Sequence, residues 1–564
     1  SASTPASSAA SSVSSAETVA GRIKVNQLGF APSAQKLAVV PASDATSFAV
    51  VDSASGTQIL TGTLSASNRW PLADETVALA DFSELQSAGS YRVQVAGLPD
   101  SDPFTVGAEP YNALNKASIK AFYFNRASTQ LLPEHAGDWA RPAGHPDTEV
   151  LIHASAASAE RPVGTVLSSP KGWYDAGDYG KYIVNSGIST YTLLAALEQF
   201  PDYYANRDLN IPESGDAIPD LLDETLWNVD WMLTMQDPHD GGVYHKLTTK
   251  NFAGIIMPHE GTEPRYIVQK GTGATLNFAA VMAAASRVLA DYQEAFPGKS
   301  AEMLAAAEAA WQWALANPNV RYQQPDDVHT GAYGDSNFAD EFAWAAAELY
   351  ITTGNDSYYQ ALDAPNTGNA VPAWPQSLGL AWMSLAYHKD ALTEAADTDL
   401  IEQRVIDLAD NILTAGNNSA YRVSMTSSDF VWGSNGGAMN RAMMLLQAYR
   451  LTDNDAYLNA AQDLLDYVLG RNPTDYSYVT GFGERPPMEI HHRQSAADDV
   501  HDPVPGFLAG GPHSGQQDDC DYPSNLPAKS YVDHWCSYST NEVTINWNAP
   551  LVYVTGALEV YYAD

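Results

Sequence analysis

The chain has 564 residues, 45% of them apolar, enough for two packed units or one unusually large one. Against 67 acidic residues stand 29 basic ones, a formal charge of −38 at pH 7, which argues against nucleic acid or an anionic membrane as partner and fits a neutral or cationic ligand. No run of about 18 apolar residues is present, so no transmembrane segment is expected.

Residues 1–21 begin SASTPASSAASSVSSAETVA, a Ser/Ala-rich leader without a basic start or an apolar core. It reads as a flexible remnant of signal removal and predicts a secreted, periplasmic or cell-surface protein. Over residues 22–107 the segments RIKVNQ, KLAVV, FAVVD and YRVQV alternate apolar with polar residues between Gly, Ser and Pro breaks. Short strands with frequent turns predict a small β-sandwich, and no chemistry is evident in it.

From residue 108 to 564 the period becomes helical. Leu222, Leu226, Val229 and Leu233 fall on one face, as do Phe278, Val281, Met282, Ala285 and Leu289, and Phe342, Ala345, Ala346 and Leu349. About eleven such segments in one large unit predict a mainly α helical toroid. Its loops gather aromatics, His, Arg and carboxylates, so they are expected to form one working face.

Cys520 and Cys536 lie 16 apart. In an exported chain they are expected to form one disulfide, worth roughly 3 kcal/mol in the chain-entropy model, and they are too few for a metal site built on several thiolates.

In GWYDAGDYGKY, at 172–182, Asp175 and Asp178 stand among four aromatic rings. That is either an acidic surface loop or a site where rings stack on sugars while one carboxylate, helped by the other, takes a proton from water. Glu542 lies between Tyr538 and Trp547, just before the last helical segment. Desolvation by these rings would raise its pKa and keep it protonated, whereas a place at a helix N-terminus would lower it. Glycosidic hydrolysis needs one carboxyl group as acid and another as base or nucleophile, a division these residues could supply. His491, His492 and Arg493 offer further donors, and their spacing is not that of a zinc-binding helix.

Taken together, GWYDAGDYGKY, NIPESGDAIPDLLDE, GGVYHKLT, DEFAWAAAELY, VWGSNGGAMN, LGRNP, HHR, LPAKSYVD and NEVTINWNAPLVY resemble glycoside hydrolase family nine, in its subgroup with an N-terminal immunoglobulin-like domain. The similarity runs from KVNQLGF to the C-terminus. Two family signatures fit position by position, one through Ser477, Thr480, Gly483, His491 and Arg493, the other through Tyr531, Asp533, Tyr538, Glu542, Thr544, Asn548 and Ala549. The resemblance implies an (α/α)6 barrel behind an immunoglobulin-like β-sandwich, and inverting hydrolysis of β-1,4-glucosidic bonds in cellulose or related β-glucans. It implies Glu542 as general acid, Asp178 as base, Asp175 as its helper, and His491, Arg493 and Asp533 as supporting groups. His245, Trp432 and Trp547 are the expected sugar contacts, with Arg493.

No cofactor is expected for catalysis. The family's zinc site would fall within 125–148, where Asn125, Arg126, Ser128 and His145 stand without a cysteine, so zinc is not expected there. SNFADEFAW resembles a calcium loop, with Ser336, Asn337, Asp340 and Glu341 as oxygen ligands. A further acidic ligand is missing around Pro375 and Gln376. The expected partner is a β-glucan polysaccharide or oligosaccharide, and the expected state a monomer. An exo-acting cellodextrinase and a non-catalytic glucan-binding protein are the alternatives, the second disfavoured because Asp175, Asp178 and Glu542 are all present.

Overall fold

The computed structural model describes Val19 and residues 21–563, so nearly all of the predicted leader lies outside the described residues. Strands β1 (Gly29–Phe30), β2 (Leu37–Pro41), β3 (Ser47–Asp52), β4 (Gln58–Thr63), β5 (Asn68–Trp70), β6 (Glu75–Asp81), β7 (Gly89–Gln94) and β8 (Phe104–Val106) form two sheets, ordered β1-β8-β7-β3-β4 and β2-β6-β5. Inward-facing residues of the alternating segments meet between them. Phe30, Phe82 and Phe104 pack at 5.1–5.7 Å between ring centroids, and their burial supplies the sandwich's own core.

Trp70 does not belong to that core. It packs 4.7 Å from Tyr421 and joins the apolar cluster of the helical domain with Val39, Ala73 and Val77. Asn26 donates to Asp466 at 2.9 Å, and Arg22 and Arg485 pair with both Asp102 and Asp475. The two domains therefore share an apolar interface rimmed by charge.

Among the described residues, twelve helices of seven residues or more build the large domain: α1 (Asn112–Phe124), α2 (Ile183–Gln199), α3 (Asp220–Thr234), α4 (Thr272–Leu289), α5 (Lys299–Ala316), α6 (Ala339–Thr353), α7 (Asp356–Leu362), α8 (Leu378–Tyr387), α9 (Thr398–Asn417), α10 (Ser434–Thr452), α11 (Asp455–Val468) and α12 (Ile545–Tyr562). The even-numbered helices touch in the order α2-α4-α6-α8-α10-α12-α2, a closed inner ring, and the odd-numbered ones pack outside them. Seven-residue α7 is too short to show a helical period.

Composition sorts the two rings. Outer α9 buries Ile401, Val405, Ala409, Ile412 and Gly416, a single stripe, and leaves its other face polar. Inner α4, TGATLNFAAVMAAASRVL, is buried on nearly every side because neighbours enclose it. By length and composition Thr272–Tyr292 is apolar enough to cross a membrane, although Thr, Asn, Ser and Arg interrupt its apolar run. With 89% of its apolar window buried in the barrel it is a core helix.

A five-stranded sheet, β9 (Val150–Ile152), β10 (Val166–Leu167), β11 (Lys181–Tyr182), β12 (Lys246–Thr248) and β13 (Tyr266–Ile267), is assembled in the order β10-β9-β13-β12-β11 from two- and three-residue strands. Strands this short carry no period. The sheet's edge strand β11 directly follows the Asp175/Asp178 loop.

Candidate active site

The loop DAGD is pinned to the start of α12. The carbonyl of Asp175 accepts from the Ile545 amide and from Thr544 Oγ1, both at 2.9 Å. Gly177 lies against the chain at His491, where a Cβ would come within 2.1 Å of the His491 carbonyl oxygen, so this position has no room for a side chain. His491 and Glu542 are bridged in parallel, and the Gly177 amide donates to Glu542 Oε1 at 3.2 Å. Segments more than 300 residues apart thus bring Asp175, Asp178, His491, Arg493 and Glu542 to one cleft of about 1140 Å³.

Each aspartate is held by a tyrosine. Tyr182 donates to Asp178 Oδ2 at 2.9 Å and the Gly180 amide to the same oxygen at 3.1 Å. Tyr333 donates to Asp175 Oδ2 at 2.6 Å, and Asn185 donates to Asp175 Oδ1. The two rings pack edge to face, 5.0 Å apart. Tyr333 takes a left-handed backbone, φ 47°, a conformation uncommon for a bulky residue, and aims its hydroxyl at Asp175. Behind Tyr182, Lys246 donates to Thr330 Oγ1 at 3.0 Å and to the Gly331 carbonyl at 2.7 Å. Burial lowers its pKa to about 7, against the pull of Asp178.

Burial, with the Asp178 charge adding to it, pushes Glu542 up to about 8, while Arg493 and the Gly177 amide pull the other way. Of the two opposite expectations for this carboxyl, desolvation outweighs the helix terminus, because the group sits in the cleft wall before α12 begins. Asp175 is raised to about 8, again by burial first and Asp178 second. Burial lowers His491, whose Nδ1 lies 2.8 Å from the Trp535 carbonyl and whose ring stacks on Trp535 at 4.0 Å. Arg493 donates to the Gly177 carbonyl at 2.9 Å and to the Ala253 carbonyl at 2.8 Å.

Trp432, 41% exposed, and Trp547 both line the cleft, with Trp432 5.9 Å from Tyr538. Trp374 also lines it, packed 5.1 Å from Tyr333. Sequence reasoning left Tyr333 and Trp374 unassigned because each stands among Gly, Pro and Ala, with no chemical partner nearby in sequence. Tyr182 and Asn185 adjoin the aspartate motif, and that proximity was the available signal.

Two expected site residues are placed elsewhere. His245 is buried, stacked on Tyr322 at 3.8 Å with Nε2 2.6 Å from the Ala332 carbonyl, so it braces the loop carrying Tyr333 instead of facing a sugar. Asp533 stands behind the cleft, accepting from the Met488 and Glu489 amides at 2.7 and 2.9 Å and from Asn541 at 2.8 Å. It ties the chain at 488–489 to Asn541, next to Glu542.

In the predicted calcium loop, Ser336 and Asn337 give their amides to Asp335 Oδ1, and Asn337 Oδ1 accepts from the Ala339 amide, so the Asn337 side chain serves the start of α6. These bonds use the two amides and the Asn337 side chain, not the Ser336 and Asn337 carbonyls expected as ligands. Asp335 Oδ2 and Glu341 Oε2 are buried without a hydrogen-bond partner. Burial, then Asp340 and Asp335, drive Glu341 up to about 11. Crowded carboxyl oxygens without donors fit a hard cation. Cys520 and Cys536 are joined as a disulfide with Cα atoms 5.4 Å apart. His534 Nδ1 lies 3.0 Å from Cys536 Sγ, and the three side chains form a cluster that could hold a metal once the sulfurs are thiolates.

The model of Glycosyl hydrolase family 9 matches residues 111–555, and that of the Cellulase N-terminal ig-like domain matches residues 18–100. A xyloglucan-specific endo-beta-1,4-glucanase of Bacteroides ovatus is 43% identical over 553 residues, covering 95% of this chain and 93% of the relative. Endoglucanase D of Acetivibrio thermocellus is 32% identical over 562 residues, covering 96% of this chain and 85% of that protein. Among solved structures, the Bacteroides ovatus GH9 structure has a TM-score of 0.91 at 41% identity and covers 96% of this chain and 100% of its own.

Proposed function

The chain belongs to glycosyl hydrolase family 9, and from that premise we propose that it is an endo-acting glucanase cutting β-1,4-glucosidic bonds of cellulose or a related β-glucan with inversion. The single observation that carries the mechanism is the pairing of a raised Glu542 with Asp178 in one aromatic-lined cleft.

A glucan chain lies against Trp374, Trp432 and Trp547, whose faces offer apolar surface to sugar rings. Glu542 gives its proton to the glycosidic oxygen as the bond from the anomeric carbon breaks. A water attacks that carbon from the opposite face and loses its proton to Asp178, so one water is consumed and the configuration inverts. Asp178 is aimed by Tyr182 and Gly180, and Asp175, fixed by Tyr333 and Asn185, orients the water. Arg493 limits the rise in the Glu542 pKa while holding the Gly177 turn.

Structural calcium at Asp335, Asp340 and Glu341 belongs to the same proposal, supported by the orphaned carboxyl oxygens. So does export, supported by the disulfide, a bond that persists in oxidising compartments. Cellohexaose digestion followed by anomer-resolved product analysis tests the reaction. Internal cleavage to α-configured new ends is expected. Release from one end alone supports the exo reading, and β-configured new ends overturn inversion.

A further inference from the structure

A second cavity, of about 490 Å³, opens beside the catalytic cleft and shares Asp178, Phe252 and Thr330 with it. Its size lies within the roughly 300–1,000 Å³ of small-ligand sites. Phe252, 47% exposed, stands between the two spaces. The segment carrying it is braced from both sides: Arg493 donates to the Ala253 carbonyl at 2.8 Å, and Tyr179 donates to the Ile256 carbonyl at 2.6 Å.

The lining suits a neutral polyhydroxylated group. Lys250 is already paired with Asp327 at 2.9 Å, and Glu260 accepts from the Met257 amide at 2.8 Å. Tyr179 and Tyr266 add aromatic surface, while Thr249 and Thr262 add hydroxyls. Because Asp178 lines both spaces, a side group on the sugar beside it is within reach of this cavity.

We propose that this side cavity receives a glycosyl branch, so that the preferred substrate class is a branched β-1,4-glucan. The proposal rests on the glucanase reading above and adds where the branch is held. Phe252 then acts as a specificity residue, separating backbone sugar from branch.

Filling the cavity tests it. Gly254 lines this cavity, a Cβ there meets nothing within 4 Å and the residue has no left-handed backbone, so Gly254→Trp is chosen as the filling variant. Initial rates on xyloglucan, as branched probe, and on unbranched mixed-linkage glucan are compared, with Thr262→Tyr as a second filling variant. The expected result is a fall of at least about tenfold in kcat/KM on xyloglucan, with the unbranched substrate changed less than about twofold. Unchanged xyloglucan hydrolysis, or parallel loss on both substrates in both variants, overturns the branch site. Failure of the wild-type protein on both glucans would instead overturn the glucanase reading.

Discussion

The main-chain amide of Gly177 donates to Glu542 Oε1 at 3.2 Å, tying the loop of the aspartate pair to the carboxyl at the far end of the chain. The bond is made inside a buried site, where the hydrogen bond stabilises the ionised form but burial outweighs it.

The resulting pH behaviour follows directly. An acid must hold its proton, and the protonated fraction of Glu542 declines as pH rises through about 8. Activity should therefore fall on the alkaline side near that pH. Glu542→Gln should reduce kcat on cellohexaose by about 10²–10⁴-fold, measured as reducing ends released. Unimpaired hydrolysis would remove Glu542 as the acid.

Arg493 lowers the Glu542 pKa, so removing its charge should raise it. The alkaline limb of Arg493→Gln should move to higher pH, read from kcat against pH. Movement the other way would show that another group sets the limb.

Tyr333 donates its hydroxyl to Asp175 Oδ2 at 2.6 Å. Tyr333→Phe leaves a buried carboxyl oxygen without its donor, a cost of about 1–3 kcal/mol. We expect kcat to fall about tenfold with little change in KM. A rise in KM alone would indicate a sugar contact.

Calcium removal should destabilise the protein. Glu341, ordinarily at 4.5, is held near 11 in the folded state without a cation. Between those values the folded state binds the extra proton, so stability of the chelated protein falls as pH rises through that window. Calcium removes the need for that proton. Chelator should lower Tm at pH 7, and Glu341→Gln should abolish the calcium-dependent shift while raising the Tm of the chelated form. Identical melting with and without chelator would sink the site.

The β-sandwich should act as a structural partner of the barrel. Deleting residues 1–107 strips Trp70 from Tyr421 and Asn26 from Asp466, uncovering apolar surface. Aggregation or loss of activity is expected, followed by light scattering and hydrolysis rate. A soluble, fully active truncation would contradict this role.

The two-residue and helical periods of the segments around Val50 and Leu226, the carboxylates of the aspartate loop and the run of family motifs were legible in the sequence. They depend on local chemistry, on side chains a few residues apart sharing a face. Which carboxyl stays protonated, and why His245 and Asp533 turn away from the cleft while Tyr333 and Trp374 turn toward it, was decided by the tertiary structure. So were the crowding of Asp335 against Glu341 and the side cavity beside Phe252. Each depends on burial and on segments hundreds of residues apart meeting at the barrel mouth, because desolvation and close approach are properties of the packed assembly.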